Sequence, residues 1–230
     1  AIPKARNLAL LFQGLDYPSL KMDLEFLVQD DEGGGSVLSN KREGFKIIDY
    51  KANLLEEVRG YSTAKFGTYR GDNCMVGAFA RLYFLGKKKN ISATHRALIK
   101  TIDFQNPFHN NLAQIVEVLF ELEDAKVIIT RLIEDSIDSK IAKPGKKATG
   151  KGIGAVEAPR GGLYNEVHVG KGDIIKYANI LTPTVQNLPS MEEAGSAILT
   201  QHKDKSRDEI KRLITMLVRA YDPCITCSAH

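Results

Sequence analysis

The chain has 230 residues, 43% of them hydrophobic and 26% charged, with a formal net charge of +4. That length suits one domain with a sizeable core, the small charge argues against nucleic acid as a partner, and no run of about 18 apolar residues exists to span a membrane. Three cysteines do not make a disulfide framework, and the start "AIPKARNLALLFQ" is amphipathic rather than a signal peptide, so the expectation is a cytoplasmic protein with reduced thiols.

Residues 4–28 carry apolar positions at helical spacing, interrupted by Pro18. "DDEGGGS" at 30–36 reads as a surface loop, and 77–86 and 90–103 read as short helices. The strongest periodic signal runs from Asn110 to Glu134. There Leu112, Ile115, Val116, Leu119 and Leu122 fall at helical spacing, and Ile129, Leu132 and Ile133 continue the stripe. Such a helix would be about 37 Å long, a length that belongs in a bundle.

The character changes after "KIAKPGKKATGKG", a lysine-rich loop. "GAVEAP", "GLYNEVHV" and "GDIIKYANILTP" alternate and carry β-branched residues, as short strands do, with "VGKGD" as a hairpin turn between the last two. Within that loop "GKKATGKG" at 145–152 resembles a phosphate-binding loop, but Gly152 stands where a magnesium-holding hydroxyl is needed, and no strand–loop–helix context surrounds it. Further on, Ser190 with Glu193 and Ser206 with Glu209 both fit a capping box. The final helix, roughly 207–220, should end at Asp222-Pro223, because proline disfavours helix in the residue before it.

The terminus then reads "DPCITCSAH". Cys224 and Cys227, three apart after a proline, can reach one soft metal ion or close a small disulfide loop. Taken alone, this spacing leaves a structural zinc half-site, a thiol–disulfide pair and two chance cysteines all open. "EAPRGGLYNEVHV" adds glycines that admit close approach and, at Arg160, a permanent charge with a planar fork of donors; its plain alternative is a surface pairing with Glu157 or Asp222. "TPTVQNL" at 182–188 supplies a hydroxyl and amides at the next strand end.

The order E-x-P-R-G, then P-T-x-x-N, then R-A-Y-D-P-C-x-x-C-x-x-H resembles the large, catalytic subunit of nickel–iron hydrogenases. Weaker likenesses in "IPKARNL", "VGAFARL" and "NNLAQIVEVLFELEDA" look most like its cytoplasmic, cofactor-coupled branch. The resemblance implies heterolysis of dihydrogen at nickel and iron, the iron carrying carbon monoxide and cyanide, with the proton taken by a neighbouring thiolate or guanidine. Cys224 and Cys227 would be metal thiolates, the second bridging nickel and iron, and Arg160 would lie over the nickel with Asp222 holding it. Pro159 and Arg160 would face one cyanide, Pro183 and Thr184 the other. His230 would hold a magnesium-like ion, with the carbonyl near Leu188 as co-ligand. The chain would be a C-terminal portion in a single domain, 1–230, ending at the mature processing site. Its implied fold is α+β and mainly helical, a long-helix bundle with a small antiparallel sheet and a tail carrying metal ligands.

This sequence departs from the family pattern in lacking R-x-C-G-x-C, the source of two further metal cysteines, together with the proton-relay glutamate beside it. "GLDYPSLKMDLEF" replaces a histidine-rich stretch, and Asn165 stands where a histidine often follows the P-R-G. The expected partners are therefore a chain bearing the missing cysteines and a small subunit with iron–sulfur clusters. An NAD(P)-, deazaflavin- or disulfide-reductase-linked module is a further expected partner. The alternative function is a metal-free structural or assembly subunit of a hydrogenase-related or complex-one-like redox complex.

Overall fold

The structure, a computed structural model, describes residues 1–30, 35–135 and 149–229. Its helices are α1 (Ile2–Gln13), α2 (Tyr50–Asn53), α3 (Ala78–Lys87), α4 (Ala93–Ile99), α5 (Asn110–Glu134), α6 (Pro183–Gln201) and α7 (Arg207–Tyr221). The strands are β1 (Leu27–Gln29), β2 (Ser36–Ser39), β3 (Phe45–Lys46), β4 (Leu54–Val58), β5 (Lys65–Tyr69), β6 (Gly150–Ala158), β7 (Gly161–Val169) and β8 (Ile175–Leu181). They form three small antiparallel sheets, β1-β2-β3, β4-β5 and β6-β7-β8. The architecture is mixed α+β with helices dominant, as expected. No helix among the described residues is long and apolar enough to cross a membrane.

The long helix α5 occupies the expected span. Its first half buries Leu112, Ala113, Val116, Leu119 and Phe120 against α1, α3, α4 and α7. Phe26, Phe79, Phe108 and Leu217 complete that core, each such side chain contributing about 1.5–3 kcal/mol of transfer free energy. The stripe does continue to Ile129, Leu132 and Ile133, but these side chains are exposed rather than packed. A second core lies beneath the sheets, where Tyr50 stacks on Tyr164 among Leu27, Val37, Phe45, Tyr69 and Leu181.

Three expectations are corrected. Helix does not run through 4–28: α1 stops at Gln13 with Gly14 capping it, and the chain beyond Pro18 has no helix before the Phe26 bridge and β1. Leu20, Met22, Leu24 and Phe26 are buried there at a period of two, the period of a strand. Ser190 is not a cap, because α6 already begins at Pro183, with proline in its first turn where an N–H is not needed. The Ser190 hydroxyl instead meets the Tyr221 hydroxyl at 2.9 Å inside the core. The helix within 90–103 is also shorter than expected, α4 running from its Ser92 cap only to Ile99.

Ser206 and Glu209 do form a reciprocal capping box, a device worth about 1 kcal/mol, and it starts α7 in the expected place. The hairpin between β7 and β8 turns through a short 3-10 segment, Lys171–Asp173, at "VGKGD". Residues 145–148 of the lysine-rich loop lie outside the described residues, and 150–152 open β6.

Candidate functional site

Two chain reversals meet at one end of the molecule. The first is the turn between β6 and β7. Ala158 pairs with Gly161, which leaves Pro159 and Arg160 as a two-residue loop. Its backbone is pressed against the segment that opens α3. A Cβ on Gly77 would come within 2.8 Å of the Arg160 carbonyl oxygen, and one on Gly161 within 2.3 Å of Val76 Cγ2. Both glycines also have positive φ, so this close approach is available only without side chains.

The second reversal is the end of α7. Asp222 adopts the left-handed conformation (φ 47°, ψ 54°), one that aspartate tolerates better than most residues, and Pro223 behind it bars a further helical turn. The change of direction brings the tail to the first. Arg160 donates from Nε to the Asp222 carbonyl oxygen at 2.6 Å and from Nη2 to its carboxylate at 2.7 Å. Both side chains are partly exposed, at 39% and 51%. Glu157, the other partner considered for Arg160, belongs instead to Arg81 at 2.7 Å.

From Asp222 the tail is tied down at successive points. The Cys224 N–H donates to the Thr184 hydroxyl at 3.1 Å, and the Ser228 and Thr182 hydroxyls meet at 3.0 Å. Ala229 then bridges antiparallel to Ala64, whose side chain shares a small apolar cluster with Leu188. Thr184 is 2% exposed in the first turn of α6, where its hydroxyl accepts from the tail. The tail thus lies against the "EAPRG" turn and the start of α6. It is not deeply buried, however: Cys224 is half-buried and Cys227 exposed. His230 lies outside the described residues, and Leu188 sits within α6.

Cys224 and Cys227 are joined as a disulfide, with Cα atoms 5.3 Å apart. Their sulfurs therefore converge on one point, and once reduced two thiolates so placed suit a soft metal ion. No group of three or more metal-ligating side chains occurs among the described residues, so the pair offers two donors and a metal centre would need the other half of its ligands from elsewhere. Cys74 is no candidate for the other half. It is 1% exposed, and burial pushes its thiol up to about 12, away from the thiolate a metal requires.

The amides of "TPTVQN" hold the neighbouring backbone. Asn187 accepts from the Val76 N–H at 2.9 Å and donates toward the Arg160 carbonyl at 3.4 Å, while Gln186 donates to the Gly162 carbonyl at 2.7 Å. Gln186 Oε1 is buried without a partner among the described residues. Arg81, which grips the same turn from behind, and Glu117, which holds Arg81, were not among the sequence candidates. The signal for Arg81 was a charged residue inside the apolar run "VGAFARL".

The sequence profile described as nickel-dependent hydrogenase matches residues 33–230. The alpha chain of sulfhydrogenase 1 of Pyrococcus furiosus is 33% identical, covering 100% of this chain and 55% of that protein. The alpha chain of sulfhydrogenase 2 of the same organism is 32% identical, covering 74% of this chain and 42% of that protein. The chain therefore spans about half the length of the curated relatives it matches. Among solved structures, an NAD+-reducing [NiFe]-hydrogenase in its H2-reduced state superposes with a TM-score of 0.74 at 22% identity, over 100% of this chain and 55% of that one. That likeness is one of fold.

Proposed function

This chain belongs to the nickel-dependent hydrogenase family, and we propose that it supplies the carboxy-terminal half of a hydrogenase catalytic site, for reversible heterolysis of dihydrogen. The observation that carries the reading is the convergence of the Arg160 turn, Thr184 and the Cys224–Cys227 tail at one place.

Reduced Cys224 and Cys227 would hold the nickel and iron, with two more thiolates from an R-x-C-G-x-C segment outside these 230 residues. When bound, the centre supplies soft Lewis-acid and redox chemistry that polarises dihydrogen. The released proton would be taken at Cys224 Sγ; the Arg160 guanidinium, already protonated and paired with Asp222, supplies charge rather than a base. Asp222 fixes the guanidinium through two oxygens, so Arg160 places its charge without reorganising during turnover. Pro159 and Arg160 on one side, and Pro183 and the Thr184 hydroxyl on the other, would face the cyanides of the iron. His230 would hold a magnesium-like ion near Leu188.

Electrons would leave through iron–sulfur clusters on a small subunit, toward an NAD(P)-, deazaflavin- or disulfide-reductase-linked module. The need for free thiolates supports a cytoplasmic setting. A metal-free structural or assembly role is the second reading, since the described residues bring only two cysteines together at this place.

Deuterium exchange tests the proposal. The assembled complex under D2 in ordinary water should release HD and H2, which requires heterolysis and needs no electron acceptor. A complex that gives neither, although intact and reduced, would overturn the catalytic reading and leave the structural one.

A further inference from the structure

Behind the Pro159–Arg160 turn lies a compact network of charged groups. Arg81, on α3, grips Glu117 of α5 with two donors, Nε and Nη2, each at 2.6 Å. Its Nη1 donates to Glu157 at 2.7 Å and to the Ala158 carbonyl at 2.9 Å, and Nη2 also reaches the Pro159 carbonyl at 2.7 Å. Glu157 in turn accepts the Gln29 N–H at 3.2 Å. Arg81 and Glu117 are 18% and 15% exposed, so these contacts are shielded from water to an extent that the Arg160–Asp222 pair is not. One planar fork therefore joins α3, α5 and the last residues of β6, at the two carbonyls that immediately precede Arg160.

We propose that Arg81 is a positioning residue for Arg160, fixing the turn from behind so that the guanidinium meets Asp222 and the cysteine tail. The inference rests on Arg160 taking part in hydrogen turnover. The geometry favours this role over simple core stability for one reason. A buried arginine needs only carboxylates to balance its charge, yet this one also directs donors to both carbonyls ahead of Arg160. Lysine in its place would keep the charge but offer a single point of donors, unable to reach two carboxylates and two carbonyls together.

The test compares Arg81→Lys, Arg160→Lys and the double variant in the assembled, metal-loaded complex. Arg81→Lys should retain its metals yet lose turnover by on the order of 10-fold or more, the scale of a modest misplacement near the reacting centre. The double variant should turn over no more slowly than Arg160→Lys alone, because both changes remove one function. Backbone amide exchange should quicken at 158–163 and stay unchanged along α5. Losses that multiply, or protection that falls equally in α5, would show a purely structural arginine and overturn the proposal. So would full turnover in Arg81→Lys while Arg160→Lys is impaired. Full turnover in Arg160→Lys itself would instead overturn the role of Arg160, and the proposal with it. Should Arg81→Lys fail to fold, Glu117→Gln, which loosens the fork from its far side, carries the same comparison.

Discussion

Arg160→Lys in the assembled enzyme is expected to cut hydrogen turnover by on the order of 10²-fold while nickel and iron stay bound. The expectation follows from how the guanidinium is held. Two nitrogens are committed to two oxygens of Asp222, one on the backbone and one on the side chain, so a planar fork points in one direction. Lysine retains the positive charge on a flexible stem, with no fixed plane and no bidentate hold. Metal content should be unaffected, since Arg160 offers no sulfur and its turn is anchored from behind by Arg81 and Asn187. Unchanged turnover with both metals present would return Arg160 to the plain pairing with Asp222, which at this exposure contributes little to stability.

The second large effect concerns thiol reactivity. With a mild reductant present and metals bound, Cys224 and Cys227 should resist iodoacetamide, and chelation of the metals should expose both. The contrast is sharp because the described residues leave Cys227 exposed and Cys224 only half-buried, so metal ligation and the rest of the complex would supply the protection. Cys74 should remain unlabelled throughout until the protein unfolds, being fully enclosed with its thiol pushed up to about 12. A native disulfide behaves differently, since reductant alone would open it to labelling without any chelator. Rapid labelling of both cysteines in the reduced, metal-replete complex would contradict their ligand role.

Different parts of the molecule were readable for different physical reasons. Helix α5 repeats its apolar positions over many turns, so the pattern outweighs any single residue, and the strands β6 to β8 are long enough for alternation to show. By contrast β1 to β5 hold two to five residues each, too short to carry a period. The stretch after Pro18 misled because Leu20, Leu24 and Leu27 fall at helical spacing while Leu20, Met22, Leu24 and Phe26 fall at a period of two, and only packing distinguishes the two. Ser190 misled in a similar way. A serine three residues before a glutamate signals a cap only where a helix starts, and here the partner that claims the serine is Tyr221, 31 residues away.

At the site, the turn with Arg160, the "TPTVQNL" segment with Thr184 (read as a strand end, in fact the start of α6) and the tail with Cys224 and Cys227 were each visible as local motifs. Their meeting was not legible from spacing, because the left-handed Asp222 and the close-packed Gly77 and Gly161 decide it. Arg81 was hidden for the same reason. On a helix a lone arginine reads as a solvated residue, and its partners lie 36 and 76 positions further along the chain.

The central claim is that Cys224 and Cys227 are two of four thiolates on nickel. Elemental analysis of the purified, complete complex tests it most directly, with nickel counted against this chain. The account predicts about one nickel per chain, retained through gel filtration and lost when either cysteine is replaced by serine. A complex of full composition that carries no nickel would contradict it.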